Sequence, residues 1–181
     1  MYLIVGLGNP GTNYDWTRHN VGFETINKLS FDLDTELKFK KKFKAEVFAF
    51  KDAIFAKPMT YMNLSGESVF ALSNFYNIPN EKIIIISDEI DFETGKVKIQ
   101  KTLSAGGHNG MKNIIAHCGS DINRVRIGVG LKPKEVKMAD YVLGRFFKEE
   151  HETIINSITK ASDAIIYTLK NGIDKTMNAF N

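Results

Sequence analysis

Short apolar blocks run through the whole chain, separated by turns rich in glycine and asparagine. Tyr2–Val5 is apolar and breaks at once into Gly6, Gly8, Asn9, Pro10 and Gly11, the pattern of a buried strand entering a turn. Val21, Phe23, Ile26 and Leu29 then repeat at helical spacing, with Thr17 or Asn20 placed to cap the helix. Lys44–Phe50 and Ala53–Ala56 read as a hairpin turning at Lys51-Asp52. Val69, Leu72, Phe75 and Tyr76 mark a second helix that Pro79 ends. Lys82–Ile86 is continuously apolar, as in the buried centre of a parallel sheet. Lys96–Gln100 and Ile122–Gly130 read as two further strands, with a helix through Met111, Ile114, Ile115 and Cys118 between them. A long amphipathic helix begins at Phe147, runs through Ile154, Ile158, Ala161, Ile165 and Leu169, and is interrupted at Gly172. Alternating strands and helices predict an α/β fold.

Composition adds few constraints. A chain of 181 residues suits one domain spanning 1–181. The net charge of +3 permits a polyanionic partner without requiring one. A lone cysteine, Cys118, excludes an intramolecular disulfide and fits a reducing compartment. The first apolar run is too short for a signal peptide and no run approaches a membrane span, so a cytoplasmic protein without membrane contact is expected. The basic run Lys38–Lys44 could touch phosphates; the simpler reading is a solvated strand entry with Phe39 and Phe43 packing inward.

Gly6-x-Gly8-x-x-Gly11 fits a dinucleotide fingerprint, but no helix opens inside the glycines and no acid closes a second strand at the right distance. Other residues carry the chemistry. His19 falls at the start of the first helix, where the dipole favours the neutral imidazole a general base needs. Asp88 stands at the carboxyl end of the KIIII strand, the ligand-binding edge of α/β sheets. Asn9, Asn63 and Asn109 each follow a strand or open a helix, although for Asn63 the residues alone favour a helix cap. Asp88 and Asp91 could ligate a metal, but no histidine or cysteine cluster accompanies them, so neither metal nor cofactor is expected. His117 and Cys118 are neighbours on a helix, about 100° apart, and make a poor dyad. There is no G-x-S-x-G elbow. One histidine, one aspartate and three asparagines suit water activated by imidazole, with amides holding a carbonyl and its oxyanion, and no covalent intermediate.

Several segments, in order, carry a family resemblance: VGLGNPG at Val5–Gly11, TRHNVG at Thr17–Gly22, P-x-T-Y-M-N-L-S-G at Pro58–Gly66, DEID at Asp88–Asp91, SAGGHNGMK at Ser104–Lys112, RIGVG at Arg126–Gly130 and VLGRF at Val142–Phe146. The chain resembles bacterial peptidyl-tRNA hydrolases over almost its whole length. That resemblance implies a single-domain α/β/α sandwich with a twisted, mixed, mostly parallel sheet. It implies hydrolysis of the ester between a peptide's carboxyl end and the 3′-terminal ribose of tRNA, by a monomer. Carried over by motif, His19 is the general base, Asp88 its orienting partner, and Asn9 positions the peptide or the water. Asn63 and Asn109 bind the peptide main chain and the 3′ end, and Tyr14, Tyr61, Met62 and His108 belong to the substrate groove. The Lys132–Asp140 loop is a mobile lid, and Lys98, Lys101, Lys112 and Arg126 are candidate contacts to tRNA phosphates. The strand before the SAGG turn departs from the family: Gln100 replaces a common basic residue, and Thr102 and Leu103 replace small or basic ones. Two other classes stay open, a non-catalytic RNA-binding relative and a metal-independent peptidase or esterase.

Overall fold

In the computed structural model, which describes residues 1–102 (Thr102 by its backbone alone) and 104–181, the most apolar segments occupy the middle of one sheet. The strands are β1 (Tyr2–Gly6), β2 (Lys38–Lys40), β3 (Ala45–Phe50), β4 (Ala53–Pro58), β5 (Ile83–Glu89), β6 (Val97–Thr102) and β7 (Ile122–Gly128). Their order is β2-β3-β4-β1-β5-β7-β6. β4, β1, β5 and β7 are parallel to one another, while the β2–β3, β3–β4 and β6–β7 pairs are antiparallel. The departure at Leu103 lies outside the described residues, as does the side chain of Thr102.

The helices are α1 (Val21–Asp32), α2 (Ser65–Phe75), α3 (Asn109–Cys118), α4 (Met138–Val142), α5 (His151–Asn171) and α6 (Ile173–Phe180). Strand alternation sends Ile4, Ile84 and Ile86 to the face covered by α1 and α5, and Leu3, Val5, Ile83 and Ile85 to the face covered by α2 and α3. The continuous apolar run in β5 is therefore buried on both sides. α6 lies along the outer strand, and the Asn181 side chain pairs with both backbone groups of Ile99, covering an edge that would otherwise be open.

Glycines at two places let the first helix close on the sheet. A Cβ on Gly6 would lie 2.1 Å from Gly22 O, and one on Gly22 would lie 2.4 Å from Leu7 N. The glycine pattern after β1 therefore serves close helix–strand approach. α1 and α2 leave on opposite faces, and the crevice at the carboxyl ends of β1 and β5 opens between them, the usual ligand position in such sheets.

Several expectations change. Neither Thr17 nor Asn20 caps α1 through its side chain: the Thr17 hydroxyl donates to Tyr14 O, and Asn20 turns to Asn9. Phe43 packs inward, whereas Phe39 is 59% exposed because the end of the sheet has no layer over it there. β5 continues to Glu89, so Asp88 lies inside the strand and not just beyond it. Cys118 is only half-buried at the margin of the core under α3; partial burial pushes its thiol up to about 11. No helix among the described residues is long and apolar enough to cross a membrane.

Candidate active site

β1 ends in the turn that carries Asn9, and Asn20 holds that turn in place. The Asn20 Oδ1 accepts from Asn9 N–H at 2.9 Å and its Nδ2 donates to Asn9 O at 3.0 Å. The Asn9 side chain is in turn oriented by Met62, whose N–H donates to Asn9 Oδ1 at 2.8 Å. That bond fixes which end of the amide is oxygen, and leaves the Asn9 NH2 as a donor at the cavity wall.

The segment Arg18–Asn20 forms a 3-10 turn that presents His19 to β5. His19 Nδ1 lies 2.8 Å from Asp88 Oδ1, and His108 Nε2 lies 2.9 Å from the same oxygen. His108 Nδ1 accepts from Met111 N–H at 3.3 Å, capping α3. His108 is thus the tautomer with its proton on Nε2, donating to Asp88. Burial alone would raise the Asp88 pKa, but two imidazoles beside it hold the carboxyl well below the usual carboxylate range. Burial lowers the His19 pKa, yet the charge and hydrogen bond of Asp88 outweigh it, so the net shift is upward. The helix-start argument for a lowered value is therefore overridden by the carboxylate. Burial dominates at His108 and lowers its pKa, which keeps it neutral. With Nδ1–H given to Asp88, His19 keeps the lone pair on Nε2 for chemistry.

These groups line one cavity of about 470 Å³. It gathers Asn9, His19, Met62, Asn63, Asp88, His108 and Asn109 from the expected set. Asn63 and Asn109 are exposed within it, and neither helix is capped by an asparagine at these positions. Met138 and Ala139, from the end of the expected lid, join Val142 and Leu143 to form an apolar wall. Tyr14 and Tyr61 are not on the cavity wall; they pack edge to face on each other, 6.3 Å between ring centres.

The basic candidates lie apart from the cavity. Lys98, Lys101 and Lys112 are exposed. Arg126 is engaged inside the protein: its Nε donates to Glu89 Oε2 at 2.7 Å, its Nη2 reaches the same oxygen, and its Nη1 donates to Gln100 Oε1 at 3.2 Å. Gln100 pairs across from Arg124 in the sheet.

Three further residues shape the site and carried no readable signal. Arg124, buried in the cavity floor, donates to Ser87 Oγ at 2.7 Å; burial pushes its pKa down to about 10. Asn113 Oδ1 accepts from Gly66 N–H at 2.7 Å, joining the starts of α2 and α3. Arg18, 3% exposed, makes a two-pronged ion pair with Glu150 at 2.9 and 2.7 Å and donates to Val129 O at 2.6 Å. Their partners lie far away in sequence, so no local pattern announces them.

The fold also assembles a cluster that the sequence reading did not find. The ligand atoms of His19, Asp88 and His108 all lie within 4.8 Å of one another, a geometry that could hold a metal ion. Each nitrogen in the cluster instead faces the Asp88 oxygen at hydrogen-bond distance. An ion would have to displace the protons on His19 Nδ1 and His108 Nε2.

Comparison with known proteins agrees along the full chain. The family model described as peptidyl-tRNA hydrolase matches residues 3–181. A peptidyl-tRNA hydrolase of Lachnoclostridium phytofermentans is 50% identical over all of this chain and 97% of its own length. One from Clostridium novyi is 47% identical over all of this chain and 98% of its own. The crystal structure of peptidyl-tRNA hydrolase from Acinetobacter baumannii superposes with a TM-score of 0.94 at 35% identity, covering all of this chain and 94% of that one. The chain belongs to the peptidyl-tRNA hydrolase family.

Proposed function

We propose that this protein hydrolyses the ester joining a peptide's carboxyl end to the 3′-terminal ribose of tRNA, using water activated by His19. The observation that carries the reading is the 2.8 Å contact of His19 Nδ1 with Asp88 inside the cavity walled by the Asn9 amide. Water placed against His19 Nε2 loses its proton to the ring as its oxygen attacks the ester carbonyl carbon. Asp88 stabilises the imidazolium so formed. The Asn9 NH2 donates to the carbonyl oxygen as it gains charge. The ribose oxygen then leaves and takes the proton back from His19, giving a free tRNA hydroxyl and a peptide carboxylic acid that releases its proton to solvent. No bond to the protein forms at any stage.

Asn63 and Asn109 suit the acyl side, because an amide both donates and accepts and can read a main-chain amide of any sequence. A peptidyl or N-acyl substrate offers that amide, whereas an aminoacyl ester offers an ammonium. Polar mismatches of this kind discriminate by up to ~10⁴–10⁵. Met138, Val142 and Leu143 give the same cavity an apolar wall beside this polar cluster. The test is incubation with N-acetyl-aminoacyl-tRNA beside the unacetylated form. Rapid release of the acetylated amino acid alone is expected. Equal release from both, or release from neither, would overturn the reading.

A further inference from the structure

Residues 36–44 form one of two strongly basic stretches in this chain; the other, 96–112, carries four lysines and no acid. Between Glu36 and Lys44 there are five lysines and one glutamate, a local charge of +4 against +3 for the whole chain. The rest of the molecule is therefore close to neutral. The 36–44 stretch attracts a polyanion, as does the basic stretch at 96–112.

The fold brings this stretch to the edge that carries the site. Lys40 pairs in register with Ala45, and Ala45 with Pro58 at the carboxyl end of β4. The carboxyl end of β2 therefore lies on the same side of the sheet as the carboxyl ends of β1 and β5. It is three strands from β1, about 14 Å at the usual ~4.8 Å spacing. Lys44 O accepts from Met59 N–H at 2.8 Å, which anchors the stretch to the segment leading into Met62 and Asn63.

Two of the lysines are occupied: Lys38 with Glu36 at 3.3 Å and Lys44 with Glu67 at 2.7 Å. Lys40, Lys41 and Lys42 are exposed and have no carboxylate partner among the described residues. The Lys42 ammonium is held on the surface 3.5 Å above the Phe75 ring, which fixes its position without neutralising it. On the far side of the cavity Lys98, Lys101 and Lys112 are exposed too, but the arginine there is engaged. Arg126 is already neutralised by Glu89, and Gln100 beside it is uncharged.

We propose that Lys40, Lys41 and Lys42 form a second contact surface, for the sugar–phosphate backbone of the tRNA, separate from the cavity that takes the acylated end. The inference rests on the proposed substrate and names where its nucleic-acid part lies. Three ammonium groups on a short turn match a run of phosphates, and contacts of this kind position a nucleic acid without reading its sequence.

Direct binding of deacylated tRNA across a salt series tests this apart from catalysis. Three proteins are compared: the wild type, the Lys40→Ala/Lys41→Ala/Lys42→Ala variant, and the triple Lys→Arg variant. The alanine variant should bind roughly tenfold more weakly at moderate salt and lose about two units of log–log salt slope, at about 0.7–0.9 per phosphate contact. The arginine variant should bind as wild type does. Turnover of a short 3′-terminal fragment carrying the same ester should be the same in all three. Coincident binding curves for wild type and alanine variant would overturn the proposal. So would an equal loss on the short fragment, which would place the lysines' effect inside the cavity or the fold. A wild type that binds tRNA through these lysines yet hydrolyses no ester would sink the proposed activity and leave the surface standing.

Discussion

Asn20 closes on Asn9 with both ends of its amide, one bond to the backbone N–H and one to the backbone carbonyl, eleven residues apart in the chain. Asn20→Asp keeps the acceptor and loses the donor, leaving a carboxylate oxygen against the carbonyl of Asn9. With the pair buried, the expected cost is ~1–3 kcal/mol in unfolding free energy. Turnover should fall as well, because the Asn9 amide loses its fixed place. Denaturant unfolding together with turnover on N-acetyl-aminoacyl-tRNA measures both; wild-type values in each would show that the clamp does not matter.

The pH dependence of kcat/KM follows from Asp88. His19 must be unprotonated to act as base, and its net shift is upward from 6.5. Activity should therefore rise with pH through a midpoint above 6.5. Asp88→Asn removes the charge that opposes burial, so the midpoint should move to lower pH while the plateau drops. His19→Ala should abolish this limb and lower turnover by ~10²–10⁴. An unmoved midpoint in Asp88→Asn would assign the limb to another group.

Activity should survive prolonged dialysis against EDTA, because the donors of His19 and His108 already satisfy Asp88. Magnesium acts on tRNA itself, so the measurement uses a short substrate carrying only the terminal nucleotides. Loss of hydrolysis there, with recovery on adding a divalent ion, would make the triad a metal site.

Arg126 and Glu89 form a nearly buried pair, so removing one partner strands the other. Arg126→Met should destabilise by up to ~3–5 kcal/mol, and the double variant Arg126→Met/Glu89→Gln by much less. Thermal unfolding of the two single variants and the double closes the cycle. Additive losses would mean that the pair is not coupled. Gln100→Arg would place a second cation beside Arg126, and its effect on tRNA salt dependence reports whether phosphate reaches this corner.

Much of the frame was legible because it is local. The strand before GLGNPG, the buried KIIII strand, the hairpin at Lys51-Asp52 and the break at Gly172 are all written in periodicity and turn residues. Asn9, His19, Asp88 and Asn109 were legible because α/β sheets deliver side chains at strand ends and helix starts. The supports were not. His108 was expected in the substrate groove by resemblance, but its bond to Asp88 was not readable. The buried position of Arg124 depends on Ser87 and Ala105 from two other segments, which no local pattern shows. The cap expected of Asn20 failed because its amide found better partners across the turn than the helix start could offer.

Arg18 also sets how the molecule comes apart. Its guanidinium is stacked on Tyr141 and Phe146 while gripping Glu150 and Val129 O, so distant parts of the chain meet on the residue beside His19. Pulling the His19 turn open strands the buried Arg18 charge, which costs several kcal/mol, on the order of a large part of a domain's stability. Local fraying is thereby opposed at the His19 turn. Its amides belong with the slowest-exchanging hydrogens of the protein, opening only when the start of the long C-terminal helix lets go too.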